Sequence, residues 1–214
     1  MSQAPPAISP PRQRRSRESF ERVLRAAGEL LEDNGFEGFT IQQVAEHSGV
    51  SVGAIYARFS NKETLVHAVH ARLMESMGAG DRAVATAGDA ADLTETIKLA
   101  IARVTSNYKE HQRALRVFMH LGAVDDYIAS HGSIASIALS RAFEQAILAH
   151  RAEIRHSDPE LAADIAFRMV YSVLSRQVMY GTQFESDRPV DWNILERELA
   201  AACRAYLAFP PPAG

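Results

Sequence analysis

Apolar residues along this chain recur at spacings of three and four. Phe20, Val23, Leu24, Ala27, Leu30 and Leu31 form one such series, and positions at i, i+3 and i+4 share one face of a helix. Ser16 is placed to cap its start, and Gly35, after Asn34, to end it. Ser60 with Glu63 reads as a capping box opening a helix that carries Leu65, Val69 and Leu73. Gly78, Gly80 and Gly88, among other small residues, read as a loop. Asp92 with Glu95 starts a helix bearing Ile97, Ile101, Val104 and Tyr108. Asp158-Pro159 is an N-cap followed by proline at the first helical position, where its missing N–H costs nothing. The helix behind it, with Leu161, Ile165, Val170, Leu174 and Val178, should run to Gly181. A last helix carries Leu195, Leu199, Ala202 and Tyr206 and stops before Pro210, Pro211 and Pro212. No alternating strand pattern of useful length is present, so the expected fold class is all-α, with about nine helices.

Composition narrows the function. A chain of 214 residues makes one long domain or two short ones, and 47% hydrophobic with 23% charged residues is ordinary for a globular protein. Lys plus Arg number 23 against 26 Asp plus Glu, a net charge of -3. That excludes a generally basic coat, so any nucleic-acid contact must come from a local patch. Apolar runs such as 199–203 and 205–209 fall far short of the roughly 18–20 residues that span a bilayer. The first residues (Pro5, Pro6, Pro10, Pro11, Arg12, Arg14, Arg15) lack the apolar stretch of a secretory signal, so a cytoplasmic location is expected. Residues 1–16 are expected to be a flexible arm, which with Arg17 carries four positive charges and no acid. Cys203 is the single cysteine, which excludes an internal disulfide or a cysteine cluster for zinc.

Residues 40–62 carry the candidate chemistry. Thr40 with Gln43 is a capping box, so a helix opens at Ile41, and Gly49 supplies a residue able to turn the chain. Ser51 caps a second helix expected to include Ile55 and Phe59. Ile41, Val44 and Ala45 face Val50, Ile55 and Phe59 across the turn, which describes a helix-turn-helix over residues 40–59. Val52, Gly53, Ala54 and Ala57 leave a slim outward face that admits close approach to DNA, although small residues between helices also serve tight packing. Tyr56, Arg58 and Lys62 offer a phenol, a guanidinium and an ammonium toward phosphates, with Arg58 and Lys62 on neighbouring turns if the helix continues.

The stretch from about Arg17 to Leu73 resembles the N-terminal domain of the tetracycline-repressor (TetR-type) family of transcriptional regulators. The matching positions are Gly35-Phe36, Thr40-Ile41, Val44-Ala45, Gly49-Val50-Ser51, Gly53, Ile55-Tyr56, Phe59, Lys62-Glu63 and Leu65. Phe39 departs from the pattern, where a small residue is more usual, and so does Val52, where a polar or basic one is common. The resemblance implies a DNA-binding domain over residues 17–77 and a helical effector-binding and dimerisation domain over 78–214. It places Thr40, Ser51, Tyr56 and Lys62 against phosphates, and Gln42 where a glutamine can pair bidentately with adenine. Val52, Gly53 and Ala54 are left to touch a thymine methyl or a sugar, so direct base readout is thin, and DNA shape and the arginine arm should supply part of the specificity.

The function so implied is a ligand-responsive regulator, a repressor that binds pseudo-palindromic operator DNA as a homodimer and is released by a small-molecule effector. The last two helices should pair across the two-fold axis, with Ala200, Ala201 and Ala202 allowing close approach. Aromatic and thioether surface for an effector is supplied by Tyr108, Phe118, Met119, His120, Tyr127, Phe143, Phe167, Met169, Tyr171, Met179 and Tyr180, though core packing uses the same residues. No cofactor, membrane partner or catalytic residue is expected. His67 and His70 have a spacing that metal sites use, but no acidic or sulfur partner is read on the same face nearby and Glu63 is assigned to the cap, so no metal is expected either. Asp125-Asp126 reads as an N-cap rather than a carboxylate pair. The alternative is an all-α small-molecule-binding protein or enzyme with a vestigial helix-turn-helix.

Overall fold

A computed structural model describes residues 11–209, which form α-helices and short 3-10 turns with no strand among them. The α-helices are α1 (Pro11–Gly38), α2 (Ile41–Ser48), α3 (Val52–Tyr56), α4 (Lys62–Ala85), α5 (Leu93–Glu110), α6 (Gln112–Leu121), α7 (Asp126–Leu148), α8 (Pro159–Tyr180) and α9 (Trp192–Ala208). The all-α expectation holds among the described residues.

The chain divides into two compact units between Val69 and His70, inside α4, where the sequence reading put the boundary after residue 77. In the first unit Val23, Leu24, Ala27, Leu31, Val44, Ile55, Leu65 and Val66 are buried together. Val69 lies against Gly28 in the same unit. In the second unit α5 lies against α9, α7 against α8, and α8 against α9. Phe143, Ile97, Ile101, Ile147 and Leu174 fill the centre of that unit.

Most sequence-read boundaries hold because the caps form as expected. Asp92, Asp125, Asp158 and Asp191 each accept a backbone N–H in the first turn of α5, α7, α8 and α9. Gly181, at φ 80°, ends α8. Three boundaries differ. The helical backbone of α1 begins at Pro11, five residues before the expected cap; Ser16 is inside the helix, and the rest of the expected arm lies outside the described residues. Gly35 breaks α1 with φ 69°, where the sequence placed its end. At α4 the cap is Asn61 instead of Ser60: its Oδ1 accepts the Thr64 N–H at 2.8 Å and the Thr64 hydroxyl at 2.6 Å. Asn61 has the planar oxygen acceptor, so the helix starts one residue later than the Ser60–Glu63 spacing implies.

The glycine-rich stretch differs as well. Gly78 and Gly80 are helical residues within α4, and Gly88 sits in the 3-10 turn Thr86–Asp89. Close packing explains two of these glycines. A Cβ on Gly80 would stand 2.7 Å from Asn107 Nδ2, and one on Gly88 would stand 3.1 Å from the Ala146 Cα.

Candidate DNA interface and ligand cavity

The helix-turn-helix is built by reciprocal caps. Thr40 Oγ1 accepts the Gln43 N–H at 3.2 Å, and Gln43 Oε1 accepts the Thr40 N–H at 2.8 Å. Both bonds satisfy donors that a helix start would otherwise leave open. Gly49 takes φ 66° and donates to the Ala45 carbonyl at 3.0 Å, which turns the chain out of α2. Ser51 then caps α3 by accepting the Ala54 N–H at 3.3 Å. The unit is fixed to α1 by Arg22 Nε, which donates to the Ser48 carbonyl at 3.0 Å, and by Phe20 stacked on Phe59 at 5.8 Å.

Helix α3 is shorter than the sequence reading. It ends at Tyr56, and Phe59 is buried in the turn that follows, where its N–H reaches the Ile55 carbonyl at 2.9 Å. Arg58 and Lys62 therefore do not share a helix: Arg58 follows α3, and Lys62 opens α4. Arg58 donates from Nη2 to the Ser16 hydroxyl at 2.8 Å and from Nη1 to the Ser19 hydroxyl at 3.1 Å. The Lys62 ammonium sits 4.4 Å from the Phe36 ring centre and 4.6 Å from that of Phe39. That contact gives the unusual Phe39 a role, because two ring faces attract one cation.

The outward face is slim, as expected. Gly53 and Ala54 are exposed, Val52 is partly so, and Tyr56 is 52% exposed. A Cβ at Gly53 would meet nothing within 4 Å, so packing inside the protein does not account for this glycine. Gln42 is exposed on α2 and donates from Nε2 to Glu46 at 3.2 Å. Thr40 and Ser51 are exposed as well as capping.

The second unit holds a cavity of about 110 Å³. Its walls are the 70–81 face of α4 (His70, Met74, Met77, Asp81), Asn107 and Tyr108 of α5, Phe118 and Met119 of α6, Ser136 and Leu139 of α7, and Tyr171 of α8. His70 is buried with its ring 4.8 Å from that of Phe118. The Ser136 hydroxyl and the Tyr171 phenol lie 2.9 Å apart, and Asn107 Nδ2 donates to the Met77 carbonyl at 3.0 Å. Tyr108 meets Tyr171 edge-on at 6.2 Å, and burial, then the neighbouring Tyr171, push its phenol far above the usual range. Burial also raises the Asp81 carboxyl, against a smaller opposing pull from Arg82. Of the aromatic and methionine residues singled out in sequence, Tyr108, Phe118, Met119 and Tyr171 line this cavity. Phe143 and Phe167 are core, and Tyr127 and Tyr180 are exposed. His70, Met74, Met77 and Asp81 were missed. Their 4-3-4 spacing marks one helical face, but the expected loop at Gly78 interrupted it.

Residues 23–69 match the family described as bacterial regulatory proteins, tetR family. A 49-residue stretch is 47% identical to the tetracycline repressor protein class C of Escherichia coli, covering 23% of this chain and 22% of that protein. The chain superposes on a crystal structure of a protein described as a TetR-family transcriptional regulator from Mesorhizobium loti, with a TM-score of 0.75. Sequence identity is 20%, over 91% of this chain and 97% of the other. Over residues 23–69 the chain is thus similar to the TetR family, and the fold of the whole chain is similar to that of solved structures described as TetR-family regulators. The HTH-type transcriptional regulator BetI of Cronobacter sakazakii is 25% identical over 84% of this chain and 90% of its own length. A second solved TetR-like fold is FadR of Bacillus subtilis in complex with stearoyl-CoA. Its TM-score is 0.65 at 19% identity, over 87% of this chain and 98% of that one.

Proposed function

We propose that this chain is a homodimeric repressor of the TetR type that reads pseudo-palindromic operator DNA through α2 and α3 and releases it when a small molecule fills the cavity. The observation that carries the DNA reading is Gly53: it is an exposed glycine on a capped helix, with open space where a side chain would go. A duplex fills that space, since a missing side chain lets a backbone or sugar approach. Thr40, Ser51, Tyr56 and Lys62 are the phosphate partners in this reading, Arg58 supports them, and Gln42 reaches a base edge. Val52 and Ala54 flank the slim contact.

Helix length supports a dimer. Five residues of α3 span about 7.5 Å, or two to three base pairs, too few to define an operator. Two copies would read half-sites about 34–36 Å apart on undistorted DNA. On α9, Ala201, Ala202 and Ala205 are exposed and small, suited to close helix approach between copies. Release by an effector requires that the ligand bind the two conformational states unequally. A DNA-binding regulator of this kind works in the cytoplasm, and among the described residues no helix is long and apolar enough to cross a membrane.

Selection of bound duplexes from a random pool at fixed salt tests the reading. The expected product is a two-fold symmetric site whose spacing reports the dimer. Recovery of no enriched duplex, or of an asymmetric single site bound by a monomer, overturns it.

A further inference from the structure

Several polar groups of the cavity walls are bonded within the protein. Ser136 and Tyr171 bond each other, and Asn107 is committed to the Met77 carbonyl. Asp81 faces the same space, and the charge that acts on it is the adjacent Arg82. Asp81 and Tyr108 both line this cavity. Around them stand aromatic rings and the thioethers of Met74, Met77 and Met119. A carboxylate among such groups is costly as an ion and is stabilised by an opposite charge brought to it. Aromatic faces favour the same charge, and thioethers fit irregular apolar bodies.

We infer that the ligand of this cavity is a small organic cation, its ammonium set against Asp81 and its apolar part against Phe118, Tyr108 and Tyr171. The inference rests on the cavity being the effector site. His70 lies eleven residues from Asp81 on the same helix, about 16 Å along the axis, so its ring closes the far end rather than competing for the carboxylate. Size sets a second limit. A dry cavity of roughly 150 Å³ holds benzene, so 110 Å³ suits a cation of a few heavy atoms unless the walls give.

Three probes of one shape separate charge from shape: tert-butylammonium, tert-butanol and pivalate, titrated at constant ionic strength with binding read by NMR. The full-length protein should bind the ammonium about tenfold or more tighter than the alcohol, with pivalate weakest. Asp81→Asn should erase that preference while leaving tert-butanol affinity unchanged. The exposed Asp89→Asn should leave both as they are. Asp81→Asn removes a half-buried charge, so its unfolding temperature should not fall, which separates loss of binding from loss of fold. Equal affinity for ammonium and alcohol, or a preference that survives Asp81→Asn, overturns the cation and leaves the cavity as a ligand site. Binding of none of the three overturns the cavity reading and the inference with it.

Discussion

Two glycines of α4, two residues apart, should respond to alanine with opposite signs. At Gly78 a Cβ meets nothing within 4 Å, so Gly78→Ala gains helix propensity alone, about 1 kcal/mol. At Gly80 the same gain is opposed. The new Cβ would lie 2.7 Å from Asn107 Nδ2 and 3.1 Å from its Cγ, so the Asn107 side chain must swing away. That breaks its 3.0 Å bond to the Met77 carbonyl. It also strands an amide in a residue only 9% exposed, at a cost of about 1–3 kcal/mol. The net effect is a loss of about 1 kcal/mol, and the two variants differ by about 2 kcal/mol. In a chain of this size that separates their unfolding temperatures by about 4–8 °C, readable by circular dichroism. In an Asn107→Ala background the obstruction is gone, and Gly80→Ala should become stabilising. If Gly80→Ala raises the unfolding temperature of the wild-type protein as much as Gly78→Ala does, the packing argument fails.

Other perturbations test the DNA face and the core. Lys62→Ala should weaken operator binding alike for all sequences and reduce the salt slope by about one, as expected for a phosphate contact. It should also lower stability by about 1 kcal/mol, because the cation leaves the Phe36 and Phe39 rings. Gln42→Ala should relax preference at one base position per half-site in a binding-site selection; an unchanged profile removes the residue from the readout. Thr40→Ala removes the hydroxyl arm of the α2 capping box, keeping the backbone N–H bond to Gln43, and should cost about 1 kcal/mol in urea unfolding. Burial raises the Cys203 thiol to about 11 from 9.0. Between those pH values the unfolded chain holds fewer protons, so stability falls as pH rises from 9.0 to about 11. In Cys203→Ala that component of the decline should vanish from the pH profile of the unfolding temperature.

Capped helices were legible in the sequence because a cap is a local event. Asp92, Asp158 and Thr40 each meet a donor within three residues, and no distant partner has a say. The apolar spacing of α1 likewise marked its buried face. What escaped was decided at a distance. Gly80 looks like a chain breaker until Asn107, 27 positions away, needs its space. Arg58 looks free for phosphate until Ser16 and Ser19 of α1 are brought beside it. The end of α3 at Tyr56 follows from the burial of Phe59 against Phe20, a tertiary contact with no local signal. The cavity was half legible: its aromatic residues stood out by type, while Asp81 and His70 acquired meaning only when five helices converged on one space.

The bonds from Arg58 to two serine hydroxyls bear on how a duplex would be gripped. A guanidinium has five N–H donors, and the hydroxyls occupy one on each of two nitrogens. The partners are neutral, so the positive charge is undiminished. An incoming phosphate would meet a side chain whose rotamers are already restricted, and its ordering, up to about 2 kcal/mol for a free arginine, falls on folding instead of on association. Seryl hydroxyls at positions 16 and 19 would thus act as splints, keeping an outstretched hand steady before anything is placed in it.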